Sequence, residues 1–532
     1  MSKSSQNLMA GAGILTLAGI IAKILSAVYR IPFQNLVGNT GFYVYQQVYP
    51  IYGIGVVLAL SGWPLFISKI ITEQTDNERK QLVARRLFWL LFIISFFLFI
   101  FVYGGAPLIA TGMGNDLKLI PVIRAVAWMF WFMPFLAVGR GFAQGQLNMV
   151  PTAISQVIEQ IVRVGIIIGV AWWGVHAGWS VYKIGSWATA AAAFAAMLAT
   201  LYISRTIKLV WQTPITKPVK KERALGWIRI FQRLCSEGNL LAMLTGMLVL
   251  LQLVDSFSTK GLLEVNGMSS QAAEYAKGVY DRGQPLVQLG MVLATAVSTS
   301  LLPVLRSHAV RKEDGAFIHD FQMMLRLSLI LSSVATVGLI AVMPAANQVL
   351  FSTREGSQAL MIFVLTIIPA TLILIITSVL QSLDYTRGVS WFVLLTMIVK
   401  YILNMIFIPQ LGIVGASLAT LLALVPMLYF VLHRLPKKLR RQWHSQNWWY
   451  KLVTTLLVVL LTAGLWGWAS DKLIGSSRLA SLFSLITSAL IGIIMFIVMI
   501  WRLRLLSKEE WYALPKGYKL YHFLERKENS CD

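Results

Sequence analysis

Residues 144–169 read QGQLNMVPTAISQVIEQIVRVGIIIG. From Met149 onward the stretch is apolar enough to sit in a bilayer, yet it holds Glu159 and Arg163. Their i, i+4 spacing puts both on one face of a helix, one turn apart. Counted from Met149 at about 1.5 Å per residue, they reach the middle of a bilayer about 30 Å thick. Ionised groups at that depth are costly, so by default they face a polar interior and mark a pathway or a site.

The stretch has an echo. Residues 381–412 read QSLDYTRGVSWFVLLTMIVKYILNMIFIPQLG, and at one constant offset Gln144 aligns with Gln381 and Arg163 with Lys400. Pro50 and Pro64 align with Pro285 and Pro303 at nearly the same offset. Two related halves are therefore expected, each with a basic residue at membrane depth, a common plan for a transporter with a midplane site.

Composition sets the class. The 532 residues are 57% hydrophobic and 13% charged, and the mean hydropathy is +0.69. That is an all-α polytopic membrane protein rather than a soluble domain with a large core. The net charge of +24 does not point to nucleic acid, because the basic residues fall in short loops between apolar runs. Cys235 and Cys531 form no disulfide framework and no metal spacing. The N-terminus reads as a retained first span rather than a signal peptide.

Apolar runs long enough to cross a bilayer predict fourteen spans, near 9–30, 43–71, 87–111, 119–143, 150–174, 181–204, 237–258, 278–304, 323–345, 358–381, 390–408, 412–432, 450–469 and 479–501. Pro50, Pro64, Pro134, Pro285 and Pro369 interrupt several of them, as is tolerated where freed backbone groups line a cavity. Basic residues follow the even-numbered spans: Arg79, Lys80, Arg85 and Arg86; Arg205 to Arg233; Arg306, Arg311 and Lys312; Arg434 to Arg441. The other loops are sparse, typified by Lys118, Lys260, Arg354 and Lys472. The positive-inside rule then places the basic loops and both termini in the cytoplasm. The expected organisation is an N-lobe of six helices at 1–206, a basic linker at 207–235, a C-lobe of six helices at 236–435, two further helices at 436–505 and an interfacial or mobile tail at 506–532. The two lobes are expected to be related by a pseudo-twofold axis.

The candidate site residues are Lys23 and Arg30 in the first span, Gln46 in the second, Glu159 and Arg163 in the fifth, Asp255 in the seventh, Asp281 and Arg282 at the start of the eighth, and Lys400 and Asn404 in the eleventh. The basic members suit an anion-binding cavity, and the acids would tune or pair with them. Blander readings stand beside this one. Arg30 and Arg282 can snorkel to an interface, Glu159 and Arg163 can neutralise each other, and Asp255 and Asp281 can serve nearby arginines. Lys400 has no acid within a turn and is expected to be the freer charge. The many Trp and Tyr residues suit an interfacial belt. No phosphate-binding Gly-Lys loop, nucleophile elbow or metal cluster is present in the sequence, no cofactor is implied, and the chain does not read as an enzyme.

Residues 41–52, GFYVYQQVYPIY, with GWPLFISK at 62–69, resemble the second-span signature of the SpoVB/YtgP polysaccharide-biosynthesis family. Tyr29-Arg30-Ile31-Pro32, Arg282-Gly283-Gln284-Pro285-Leu286 and Gly412-Ile413-Val414-Gly415-Ala416 fit the same family. The resemblance implies the multidrug/oligosaccharidyl-lipid/polysaccharide exporter fold, two six-helix lobes around a central cavity. It also implies a flippase in the bacterial cytoplasmic membrane for undecaprenyl-pyrophosphate-linked sugars, akin to the MurJ-like lipid II flippases. Arg30 and Arg282 match by position the cationic cavity residues of those proteins. The second span here has no mid-membrane arginine, only Gln46, Gln47 and terminal Lys69.

Charge supports an anionic substrate. An exporter of cationic drugs wants acids at its site, whereas this interior offers more bases, and a pyrophosphate suits Arg and Lys. Gln46, Gln47, Gln156, Gln160 and Asn404 would serve the sugars. The expected partners are the lipid-linked substrate, membrane lipids and cell-wall synthesis enzymes, and the expected state is a monomer. Precursors of capsule, teichoic-type polymer or spore cortex on the same lipid are the alternative cargo. A polytopic glycosyltransferase is a third reading, disfavoured by short, basic cytoplasmic loops.

Overall fold

The computed structural model describes residues 3–212, 226–383, 388–440, 446–514 and 516–529, and among them there are helices and no strand. Lys217, Lys220, Lys221, Arg223 and Arg441 of the basic loops, Asp384 to Arg387 of the echo, and Cys531 lie outside the described residues.

The helices, in order, are α1 (Lys3–Val28), α2 (Arg30–Val56), α3 (Trp63–Thr72), α4 (Asn77–Gly104), α5 (Ala106–Gly112), α6 (Ile120–Ala127), α7 (Met133–Gly145), α8 (Val150–His176), α9 (Val181–Trp211), α10 (Trp227–Arg233), α11 (Asn239–Thr245), α12 (Met247–Val265), α13 (Ser270–Asp281), α14 (Gly283–Arg311), α15 (Asp314–Phe351), α16 (Ser357–Val364), α17 (Ile367–Ser382), α18 (Val389–Leu411), α19 (Ile413–Arg434), α20 (Lys437–Arg440), α21 (Gln446–Ile474), α22 (Arg478–Arg502), α23 (Lys508–Ala513) and α24 (Gly517–Asn529). Among the described residues, eleven helical stretches are long and apolar enough to cross a membrane, or twelve with the bent pair Trp227–Thr245 and Met247–Val265. One of them, Leu17–Thr72, has 56 residues. At about 1.5 Å per residue it is more than twice the thickness of a bilayer, so it holds more than one crossing. With α14 added, this is consistent with fourteen spans.

The break inside that stretch has a local cause. Gly38 sits at φ 72°, ψ −177° inside α2, a region open to Gly alone, so the chain turns there. A π-turn at Val57–Gly62 follows, and Pro64 opens α3 from its first turn, where a missing N–H costs nothing. Pro134 opens α7 in the same way.

By its contacts the chain forms two compact units, Met1–Pro285 with Arg387–Ala419, and Leu286–Thr386 with Thr420–Asp532. These boundaries do not coincide with the expected lobe bounds: α12 and α13 pack on α2, and α18 packs on α12.

In the first unit α3 packs on α7 through Gly141 and Gly145. A Cβ on Gly141 would stand 2.6 Å from Cβ of Ile67, and one on Gly145 would stand 2.7 Å from Cβ of Ile71. The spacing is a small-xxx-small seam that lets backbones approach closely. α9 presents Ala188, Ala191, Ala192, Ala195, Ala196 and Ala199, all buried, for the same purpose. Phe97, Phe101, Leu108, Trp173 and Leu201 are exposed on the outside, as expected of a surface solvated by lipid.

In the second unit α15 packs against α17, α21 and α22. Arg354 forks onto Asp471, both oxygens at 2.8 Å, so a residue expected in a sparse loop is an anchor between helices. The tail is docked rather than loose. Ser507 and Glu510 form a capping box at the start of α23, Glu510 pairs with Arg326 at 2.9 Å, and Trp511 is buried against Trp501. Burial pushes the Glu510 carboxyl up, against the pull of Ser507 and Arg326.

Candidate functional site

Tyr45, Tyr49 and Tyr52 fall at i, i+4 and i+7 on α2, so one face of that helix is a wall of phenols. Arg163 of α8 lies against this wall. Its guanidinium carbon is 5.0 Å from the Tyr29 ring centre and 4.6 Å from that of Tyr52. It donates to Gln160 Oε1 at 2.7 Å and, more weakly, to Tyr29 OH and Ser26 Oγ, each at 3.4 Å. Arg30, at the start of α2, stacks on Tyr49 at 4.2 Å. Both guanidiniums are buried, at 0% and 1% exposure. All three nitrogens of Arg30, Nε of Arg163 and the Tyr52 hydroxyl have no hydrogen-bond partner. Tyr45, Tyr49, Tyr52 and Arg163, with Ala188, Thr189 and Ala192 of α9, line a cavity of about 10 Å³.

Glu159 does not pair with Arg163, against the expectation from their spacing. Its carboxylate takes Arg140 of α7 at 2.7 Å, and Arg140 also donates to Ser155 Oγ at 2.9 Å and Ala59 O at 3.3 Å. Arg163 points across to α1 and α2 instead. Arg140 lies inside the fourth predicted span, where a basic residue in an apolar run was the signal to follow.

Lys400 is not a free charge either. Its ammonium donates to Asp255 Oδ2 at 2.6 Å, and both side chains are 1% exposed. The same carboxylate accepts from Tyr280 OH at 2.8 Å and from Asn404 Nδ2 at 3.1 Å, and Asn404 reaches Ser258 Oγ at 2.8 Å. This cage fastens α18 to α12 and α13. Asp281 is held by Lys277, one turn back on α13, so the two acids serve lysines rather than arginines. Lys260, expected in an outer loop, is buried in α12, where it donates to Gly114 O at 3.1 Å and pairs with Glu264 and Glu274.

Arg282 forms the turn between α13 and α14 and donates to Asn39 Oδ1 at 2.7 Å, the oxygen that also accepts from Gln34. Arg30 is within electrostatic reach of Asp281, so Arg30, Asp281 and Arg282 share one neighbourhood. Gln46 is buried with its carbonyl oxygen unpartnered, whereas Gln47 bonds Met113 O and Ser256 O. Lys23 is exposed on α1 and joins none of these contacts.

Among its described residues the first unit buries seven basic residues (Arg30, Arg140, Arg163, Lys260, Lys277, Arg282, Lys400) and five acids (Asp116, Glu159, Asp255, Glu274, Asp281). Arg140, Lys260, Lys277 and Lys400 have carboxylate partners. Asp116 accepts from Tyr43 and Tyr182. Among the described residues Arg30 and Arg163 have no ion pair, and positive charge is therefore in excess where the tyrosine wall stands. Guanidinium groups of this kind suit carboxylate and phosphate oxygens.

Comparison with known proteins extends this. The model of the polysaccharide biosynthesis protein family matches residues 8–308. The Bacillus subtilis membrane protein YabM is 35% identical over 98% of this chain and 97% of its own length. The lipid II flippase MurJ of the same organism is 26% identical over 80% of this chain and 82% of its own. Among solved structures, lipid II flippase MurJ in an inward closed conformation covers 92% of this chain and 99% of its own, with TM-score 0.68 and 14% identity. The fold is thus shared with a flippase, and sequence matches across more than half of the length carry the assignment further: this chain is a multi-pass membrane protein that belongs to the polysaccharide biosynthesis protein family.

Proposed function

We propose that the protein is a flippase that moves an undecaprenyl-pyrophosphate-linked saccharide, of the lipid II kind, across the bacterial cytoplasmic membrane by alternating access. The observation that carries this is the surplus of buried guanidinium without carboxylate partners, Arg30 and Arg163. An anionic head with many acceptor oxygens suits such groups, and forked donors suit phosphate best. Arg30 and Arg282 take the pyrophosphate, Gln46 serves the sugar, and the isoprenoid tail stays in lipid. Asp255, Lys400 and Asn404 tie α12, α13 and α18 together, and Asp281 ends α13 next to Arg282. A membrane potential positive outside favours outward movement of the head by about 2.3 kcal/mol per charge per 100 mV. The nearer match to YabM than to MurJ in identity, and the absence of an arginine in the second span, support the alternative of another lipid-linked polysaccharide precursor as cargo. Expression in a strain depleted of its lipid II flippase separates the two. Restored growth is expected, and failure to restore it in a folded, inserted protein moves the assignment to the alternative cargo.

The alternating basic loops support cytoplasmic termini. Cysteines placed at positions 118 and 354 are expected to react with an impermeant thiol reagent in intact cells, and cysteines at 220 and 438 only after lysis. The reverse pattern sinks this topology.

A further inference from the structure

We propose that α24 is a peripheral membrane anchor, an amphipathic helix that lies in the headgroup layer beside the end of α22 and binds anionic phospholipid. Its place in the fold comes first. Leu490, Ile494 and Trp501 fall at i, i+4 and i+11 of α22, so they share one side of that helix. Leu490 and Ile494 are exposed there, as residues solvated by lipid are. α24 is fastened at the end of this stripe. Its Tyr521 ring stands 5.6 Å from Trp501 and 6.0 Å from Tyr512 of α23, and the Tyr512 hydroxyl is 3.2 Å from Nε2 of His522. The corner between α23 and α24 is tight, because Lys516 takes φ 60° and a Cβ on Gly517 would collide with the carbonyl oxygen of Trp511. α23 is itself bonded to α15 through Glu510 and Arg326. The tail is thus held where the last span ends, and it continues the lipid-facing side of that span.

Sequence and exposure then say what covers it. The helical period gathers Leu520, Phe523 and Leu524 on one face of α24. Phe523 is 62% exposed, and both leucines are half-buried. Lys519, one turn before Phe523, borders that face, Lys516 precedes it, and both are exposed. His522 takes the opposite side. An exposed phenylalanine beside lysines suits the boundary between acyl chains and headgroups, where the ring enters the apolar layer and the long side chains reach the phosphates. Charge chooses among lipids. Between residues 502 and 529 the chain has seven Arg and Lys against four Glu, and two of the four, Glu509 and Glu510, are turned to His319 and Arg326. The surplus is positive, so anionic headgroups complement it and zwitterionic ones do not. A second copy of the chain would bring the same surplus and be repelled. The side of the membrane follows from the topology proposed above, but the binding itself rests neither on that nor on the cargo.

The full-length protein with one labelled cysteine tests it. Phe523→Cys, in a Cys235→Ser and Cys531→Ser background, carries an environment-sensitive fluorophore. The protein is placed in nanodiscs of phosphatidylcholine with rising phosphatidylglycerol, which present the same lipid on both faces. Emission is expected to shift to the blue and quenching by iodide to fall as phosphatidylglycerol rises, and added salt is expected to reverse part of the change. Lys516→Asn with Lys519→Gln, Asn being at ease with the left-handed φ at 516, is expected to lower the ratio of seated to unseated helix by about 25-fold, which is about fivefold for each lysine. A probe that stays in water at every lipid composition overturns the proposal. So does a shift of equal size in pure phosphatidylcholine, or one that the lysine variant leaves intact, since charge then plays no part. A shift that arises in detergent and grows with protein concentration gives the face to a second copy and overturns it too. None of these readouts measures transport, so the flippase assignment stands or falls separately.

Discussion

Lys400→Glu is expected to leave no folded protein in the membrane. The ammonium of Lys400 is 2.6 Å from Asp255 Oδ2, with both side chains about fully buried. Reversal places two carboxylates in contact in a low-dielectric interior, where like charges repel far more strongly than in water. Even simple removal of one partner of a buried pair destabilises by about 3–5 kcal/mol, because the other charge is stranded. Against a total stability of about 5–15 kcal/mol that is a large share. Asp255 also organises Tyr280 and Asn404, so α12, α13 and α18 lose their common anchor together. Fluorescence-detected size exclusion of a tagged protein measures the outcome. Lys400→Gln with Asp255→Asn keeps hydrogen-bonding groups without charge and is expected to recover a monodisperse peak. A folded Lys400→Glu protein that fails only in complementation would return Lys400 to the substrate site and remove the anchor reading.

The membrane-spanning plan was legible because it depends on the local apolar pattern, and each run of about twenty residues carries its own signal. The partners of the buried charges were not, because they come from distant segments. Glu159 and Arg163 satisfy the i, i+4 rule, yet sharing a helix face does not decide pairing when a better placed guanidinium, Arg140, arrives from the preceding helix. Lys400 looks isolated along its own helix, and its acid is on α12, 145 residues away in sequence. Neither pairing leaves a trace in spacing. The tyrosine wall did leave one, since Tyr45, Tyr49 and Tyr52 share a face by period alone. Read with Arg30 and Arg163, that face was the signal for where unpaired positive charge collects. Arg30 was legible as a site candidate from its depth and type, and its lack of a hydrogen bond of good geometry is a fact of three dimensions.

Arg30→Ala is expected to abolish transport while leaving the fold nearly intact, the opposite pattern to Lys400→Glu. Little hydrogen bonding is lost on truncation, since none of the three guanidinium nitrogens makes a hydrogen bond of good geometry, although the Tyr29 and Tyr49 phenols stand close by. What is lost is the contact with Tyr49 at 4.2 Å, worth about 0.5–2 kcal/mol, and the relief of burying an unpaired cation offsets part of it. The melting temperature of the purified variant is therefore expected to lie within a few degrees of the parent, as a change of about 1 kcal/mol gives in a chain of this size or smaller. Arg282→Ala loses its bond to Asn39 and is expected to cost somewhat more stability, still below the cost of stranding a buried acid. In both variants the anionic head loses a forked donor that neutral residues nearby cannot replace, so complementation is expected to fail although the protein is inserted at normal levels. Arg30→Lys keeps the charge without the fork and is expected to fall between the two. Full complementation by both alanine variants would mean that these guanidiniums do not touch cargo.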